Sequence, residues 1–480
     1  TVGHGVSLSN SVLNQVGTPL GQLNLSSSSK LMALLKDSTP DELKQLLLID
    51  PALAQSFWDR PPDSADVAAW WASLPQAQRD ALVKDAAPII GNLGGVPYAI
   101  RGIANLNQLN AAKQNPNLTQ QQKDAIANAE AALKAGGMNG GVRSLVDFNL
   151  YGDVPMIALG IGDLDTVDTI TYDVPGMDAY ASNDAGKDWY TAAQNLYDEQ
   201  RSVDPRASHG VVAWLGYNTP PLAGTVVNAA LNISSLLATR QTIPSDDSVF
   251  SDARAKAGAG RLAAELDALQ NTRTGAGAPA PFVAVTAHSY GTTTTAYALT
   301  MTQHNVNAVD LVASAGIDSN VVPNASALHV DSVGGKGQVY VSQASSDAIA
   351  TVGRAGSGRI DPADSGFGAI HYSSNGGVAP DGTVYVSVNG HDAIGHDGKP
   401  IISAGVGHGY YDPRTESLRN MAAVTTGAGV IVKDLAAPAI PGPILPQANE
   451  GASTPPLFPA IVPPTQSGQP LVPPLPGMNR

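Results

Sequence analysis

Between Pro281 and Leu299 an apolar, β-branched run, Phe282-Val-Ala-Val-Thr-Ala287, ends in His288-Ser289-Tyr290-Gly291 and passes directly into a helix-compatible segment. No other stretch restricts the fold as much. A strand without polar alternation predicts burial on both faces, as in a parallel sheet covered by helices. The abrupt change to helix puts Ser289 on a sharp strand-to-helix turn, a nucleophile elbow. Such a turn lifts the hydroxyl clear of the sheet and aims a helix N-terminus at the reacting centre. It also demands very small residues two before and two after the serine. Ala287 and Gly291 occupy those positions. Alanine in place of the usual glycine is the mildest departure available.

The rest of the chain predicts an α/β architecture around this strand. Strands are expected at Val142 to Phe148, Val154 to Ile161, Thr169 to Val174, Val211 to Leu215, Val283 to Thr286, Ala308 to Ala313, Gln338 to Ser342 and Gly368 to Tyr372. Helices are expected at Gly186 to Gln200 and Ser251 to Leu269, so the sheet is mostly parallel, with the first hairpin-like pair as an antiparallel edge. This catalytic domain spans 141–435. Before it, 26–140 reads as a helical N-terminal region packed on the core. Leu31, Leu34 and Leu35, then Leu43, Leu46 and Leu47, recur at helical spacing, and Thr119 with Gln122 forms a capping box. Residues 1–25 read as a flexible leader. The segment Leu222 to Ile243 fits either a lid or a crossover. Thirteen of the 35 prolines lie between Pro438 and Pro476, which makes 436–480 an extended tail unable to build a core.

Composition removes several classes of function. A net charge of -14 leaves no basic face to neutralise phosphates, which excludes nucleic acid as a partner, and gives no attraction to anionic headgroups. The absence of cysteine excludes a thiolate nucleophile, a disulfide scaffold and a cysteine-ligated metal. No apolar run approaches the ~20 residues of a transmembrane segment. The chain starts at Thr1 without methionine, as a processed or trimmed chain does, and shows no signal peptide. Oligomeric state is open.

A serine hydroxyl needs a base, and the base needs an orienting acid, in the chain order Ser, Asp or Glu, His. The strand Gln338 to Ser342 leads to Asp347, the preferred acid because it follows the later strand; Asp318 is its competitor. His371 reads as a residue of a strand. His391 and His396 lie in a glycine-rich stretch with two His-Asp pairs, and read as polar turn residues rather than as metal ligands. His408, in the loop Gly405-Val-Gly-His-Gly-Tyr-Tyr-Asp412 after the last strand, is the expected base. Two backbone N–H groups are needed for an oxyanion. They are expected from Tyr290, just after the serine, and from Met177, in the loop Val174-Pro-Gly176-Met177 after an early strand. Gly176, His288 and Trp214 are expected to contact substrate. The loop Gly162 to Asp168 is acidic but too short of ligands for calcium. This chemistry requires no metal and no organic cofactor.

A set of further motifs carries a resemblance. Trp58-Asp-Arg-Pro-Pro, Ala69-Trp-Trp, Ile90-Gly-Asn-Leu-Gly-Gly-Val-Pro97, Arg101 with Ala104-Asn105, Gly162-Asp163, Val174-Pro-Gly, Trp214-Leu-Gly-Tyr, His288-Ser-Tyr-Gly, and His408 with Tyr411 and Ser417-Leu-Arg-Asn420 stand in this order. Together they resemble an actinobacterial α/β-hydrolase family described as a domain of unknown function. The likeness extends loosely to cutinase-like and mycobacterial cell-envelope lipid esterases. The resemblance implies an α/β-hydrolase fold with a triad carried on Ser289, Asp347 and His408, acting on acyl or lipid esters. It favours a secreted or envelope-associated location, with a cytoplasmic one open. Residues 375–404 look like an insertion before the histidine. The alternatives are acyl transfer by the same triad, and an inactive envelope or scaffold protein with this fold.

Overall fold

The computed structural model describes residues 27–135, 141–221, 248–379, 381–395 and 407–429. The described residues belong to one compact unit. The leader 1–25, the segment 222–243 and the Pro-rich tail 436–480 lie outside the described residues.

Eight strands build the main sheet: β1 (Arg143–Asn149), β2 (Met156–Ile161), β3 (Thr169–Val174), β4 (His209–Leu215), β5 (Phe282–His288), β6 (Ala308–Val312), β7 (Val339–Ser342) and β8 (Ile370–His371). Their order across the sheet is β1-β2-β4-β3-β5-β6-β7-β8. From β4 to β8 every neighbouring pair is parallel, while β2 runs antiparallel to both β1 and β4. This is the α/β-hydrolase fold, with the antiparallel edge where the sequence placed it. Every residue of β3 and β4 is buried: β4 runs apolar through Val211-Val-Ala-Trp-Leu215, whereas β3 carries the polar Thr171 and Asp173, which bond Gln200 and Tyr411.

Eight helices precede the sheet among the described residues: α1 (Ser28–Asp37), α2 (Pro40–Ile49), α3 (Ala52–Asp59), α4 (Ser64–Ser73), α5 (Gln76–Asp85), α6 (Ala87–Ile90), α7 (Tyr98–Ala112) and α8 (Gln120–Lys134). Thr39 with Glu42, and Thr119 with Gln122, close capping boxes that satisfy helix N-terminal N–H groups. α1 to α7 share a core of Leu31, Leu34, Leu35, Leu43, Trp70, Trp71 and their neighbours. This region covers the sheet's open edge. Asn92 donates to the Phe148 carbonyl at 3.0 Å and accepts from the Phe148 N–H at 2.8 Å, and Asn105 donates to the Leu145 carbonyl at 3.0 Å. An edge strand's unpaired backbone groups are thereby satisfied.

A buried ionic cluster fastens the same region. Arg101 of α7 and Arg261 of α10 (Ala253–Gly275) both reach Asp147 of β1, at 2.8 and 2.7 Å, and both pair with Glu265 of α10. α9 (Asp184–Val203) and α13 (Glu416–Thr425) share one side's core, and α10 with α11 (Tyr290–Ala298) the other's. α12 (Ala348–Ser357) follows β7. The acidic loop after β2 is also explained. Asp165 accepts from the N–H groups of Tyr98 and Ala99, both at 2.8 Å, and so caps α7.

Candidate active site

β5 ends at His288, α11 begins at Tyr290, and Ser289 is the single residue between them, at φ 55° and ψ -124°. A positive φ is uncommon for a side chain other than glycine and is held here by its surroundings. The Ser289 N–H donates to the Val312 carbonyl at 2.9 Å, and its carbonyl accepts from the Ala315 N–H and the Thr292 hydroxyl. A methyl group on Gly291 would lie 2.5 Å from the Pro175 carbonyl oxygen, so the end of β3 requires glycine there. Ala287 is fully buried within β5, a position that accommodates a methyl group.

The ring facing Ser289 is that of His391. Its Nε2 accepts from the Ser289 hydroxyl at 2.7 Å, and its Nδ1 donates to Asp347, 2.9 and 3.0 Å from the two oxygens. Asp347 caps α12 by accepting from the Ala350 N–H, and also accepts from the Tyr410 hydroxyl at 2.9 Å. All four side chains are buried. Burial opposes charge on His391, but the Asp347 carboxylate outweighs it and holds the imidazole above its ordinary value. Burial likewise disfavours the Asp347 carboxylate, yet His391 and the donors around it hold its pKa below the usual range. His288 has no such partner. Burial, followed by the charge of His391, pushes it down to about 3, so its ring stays neutral.

Ser289 and His391 open onto a cavity of about 630 Å³, also walled by Met177, Trp189, His288 and Ile394. Gly176 is pressed against the serine: a Cβ there would sit 2.7 Å from the Ser289 Cβ. Met177 follows it in the chain and lines the same cavity as Ser289. Among the described residues, neither this N–H nor that of Tyr290, the first residue of α11, has a hydrogen-bond acceptor in the protein.

The structure departs from the sequence expectation at His408 and at Trp214, and Asp318, the alternative to Asp347, lies away from the serine. His408 does not reach Ser289. Its Nδ1 lies 3.9 Å from Asp412, and its backbone pairs with the His391 loop instead, its carbonyl accepting from the Asn389 N–H. Asp318 is engaged elsewhere, accepting from the Tyr297 hydroxyl at 2.7 Å, which leaves Asp347 as the carboxylate that meets a histidine. Trp214 lies in the core on the α10 side, fully buried and stacked on Tyr217 with centroids 5.7 Å apart, away from the cavity. His391 is hard to read in the sequence because a His-Asp pair among glycines has the composition of a solvated turn. One signal marks it: it is followed by Ala393-Ile394, an apolar pair that a solvated turn does not need. His396 lies outside the described residues, and no group of three or more potential metal ligands occurs among the described ones.

Residues 152–356 match the profile of a family described as alpha/beta hydrolase. Two curated relatives, uncharacterized proteins of two Mycobacterium tuberculosis strains, are each 26% identical over 422 residues. The match covers 77% of this chain and 57% of theirs, so the chain spans little more than half the length of these relatives. Among solved structures, a thermostable esterase from Pseudomonas putida is 12% identical with a TM-score of 0.32, covering 68% of this chain and 96% of that one. A dienelactone hydrolase from Anabaena variabilis is 15% identical with a TM-score of 0.26, covering 45% and 80%.

Proposed function

We propose that the chain, which has the α/β-hydrolase sheet and matches the alpha/beta hydrolase profile over residues 152–356, is a serine hydrolase of carboxylic esters. The observation that carries this reading is the unbroken hydrogen-bond chain Ser289–His391–Asp347, which begins on a strained serine in the wall of a cavity. Ser289 attacks the acyl carbonyl while His391 takes its proton at Nε2. Asp347 holds the tautomer that leaves Nε2 free to accept and stabilises the imidazolium that forms. The N–H groups of Tyr290 and Met177 receive the oxyanion. His391 then gives its proton to the departing alkoxide. In the second half-reaction it takes a proton from water as the water oxygen attacks the acyl carbon, then returns that proton to the departing Ser289 oxygen, and the acyl group leaves as a carboxylic acid. Gly176 and His288 line the bound acyl group. No described helix is long and apolar enough to cross a membrane, and the substrate is a small-molecule ester.

The test is hydrolysis of p-nitrophenyl esters of increasing chain length by wild type and Ser289→Ala, with and without excess acceptor alcohol. Serine-dependent release of free acid supports hydrolysis. Transesterified product at the expense of acid makes the protein an acyltransferase. No serine-dependent turnover at any chain length overturns the reading.

A further inference from the structure

The strap of residues 407–412 carries the strongest unused chemistry in the molecule. Its backbone is laid against the loop that bears His391. The Tyr410 N–H donates to the Asp392 carbonyl at 3.0 Å, and the Tyr411 N–H to the Ala393 carbonyl at 2.8 Å. Asp412 accepts from the N–H groups of Gly395 and Gly409, at 2.9 and 2.8 Å. The glycines around His408 are required by this contact. A Cβ on Gly407 would lie 2.3 Å from the Asn389 Cβ, and one on Gly409 2.4 Å from the Ala393 carbonyl oxygen. The strap then sends two consecutive phenols inward. Tyr411 donates to Asp173 at the end of β3, at 2.7 Å, and Tyr410 donates to Asp347 while accepting from the Ala344 N–H at 2.8 Å.

We propose that Tyr410 is the positioning residue for the acid of the triad: its hydroxyl fixes the Asp347 carboxylate and takes up part of its charge, so that the base strength of His391 is set from the strap. This rests on the serine-hydrolase reading above. With both its donor and acceptor roles filled, the phenol cannot turn away without breaking a buried hydrogen bond. The other charged or titratable groups facing the pair are few. Arg354 of α12 and Asp392 act on His391 with opposite signs, and the His288 ring stands 5.0 Å from it and is neutral. Among these groups only Tyr410 donates to Asp347.

The sign follows from the geometry. Without the phenol the Asp347 charge is less neutralised, holds the imidazolium more strongly, and moves the acid limb of kcat/KM to higher pH. A more acidic phenol does the reverse. The experiment is the pH profile for p-nitrophenyl butyrate hydrolysis by wild type, Tyr410→Phe and a protein carrying 3-fluorotyrosine at 410, with Ser289→Ala as control. Tyr410→Phe is expected to lower kcat about 10- to 100-fold with KM little changed, the range for losing a hydrogen bond to a charged group. Its acid limb moves up and that of the 3-fluorotyrosine protein moves down. In an Asp347→Asn background the Phe substitution is expected to cost nothing further. Superimposable profiles for all three active proteins, or an equal loss in the Asn background, overturn the inference. The fluorinated protein decides the matter alone if Tyr410→Phe fails to fold, because one fluorine leaves the packing nearly unchanged. Undiminished turnover by Ser289→Ala instead removes the hydrolase reading, and this inference with it.

Discussion

At Ser289 the backbone holds a conformation costing about 1–3 kcal/mol for a residue with a side chain. Glycine adopts it freely. Ser289→Gly and Ser289→Ala should both be inactive, yet the glycine variant should be about 1 kcal/mol the more stable in urea unfolding, since alanine keeps the strain. Equal stabilities would mean that the elbow stores none. The His391 environment sets a second expectation. A base held above the ordinary histidine value stays protonated, and unable to accept from Ser289, until pH has risen past that raised value. Activity should therefore fall on the acid side with an apparent pKa above 6.5, the unperturbed value. A kcat/KM profile flat to pH 5 would contradict this. The residue scale was also where the sequence was hardest to read. Ser289 announces itself because strand, small residues and helix are contiguous. His391 does not, because its role is made by contacts with residues 44 and 102 positions away.

Among the elements, β3 was legible to the residue, and the other long strands to within about two, because each is a short run rich in β-branched, aromatic or small apolar residues bounded by Gly, Asp or Pro. β8 is only two residues long, and the histidine loop beyond it packs on the distant 407–412 strap rather than on its own neighbours. Nothing periodic marks such a loop. The edge-covering role of α7 was equally hidden: Arg101 and Asn105 look like ordinary helix-surface residues until β1 is laid beside them. Their burial has an energetic consequence. Arg101→Ala should destabilise the fold by about 3–5 kcal/mol, since it leaves the buried Asp147 and Glu265 with one cation between them. Arg101→Met, which refills the volume but not the charge, should be comparably harmful; a loss under about 1 kcal/mol in either would show that Arg261 alone suffices.

The whole molecule carries a net charge of -14, and among the described residues the cavity lining has the same sign, with Asp178, Asp184, Asp188 and Asp392 against Lys187. Like-charged substrates meet this field before they meet the nucleophile. The p-nitrophenyl hemisuccinate ester should be turned over about 10-fold less efficiently than the neutral butyrate at low ionic strength, and the gap should narrow as salt shortens the screening length to ~8 Å at 0.15 M. A gap indifferent to salt would assign the preference to shape. The central claim concerns which histidine serves Ser289, and fluorophosphonate labelling tests it without any knowledge of the natural substrate. The rate of labelling at Ser289 should be unchanged within about 3-fold in His408→Ala and reduced at least ~1,000-fold in His391→Ala, the scale of losing a triad base. Fast labelling of His391→Ala beside a silent His408→Ala would contradict the account.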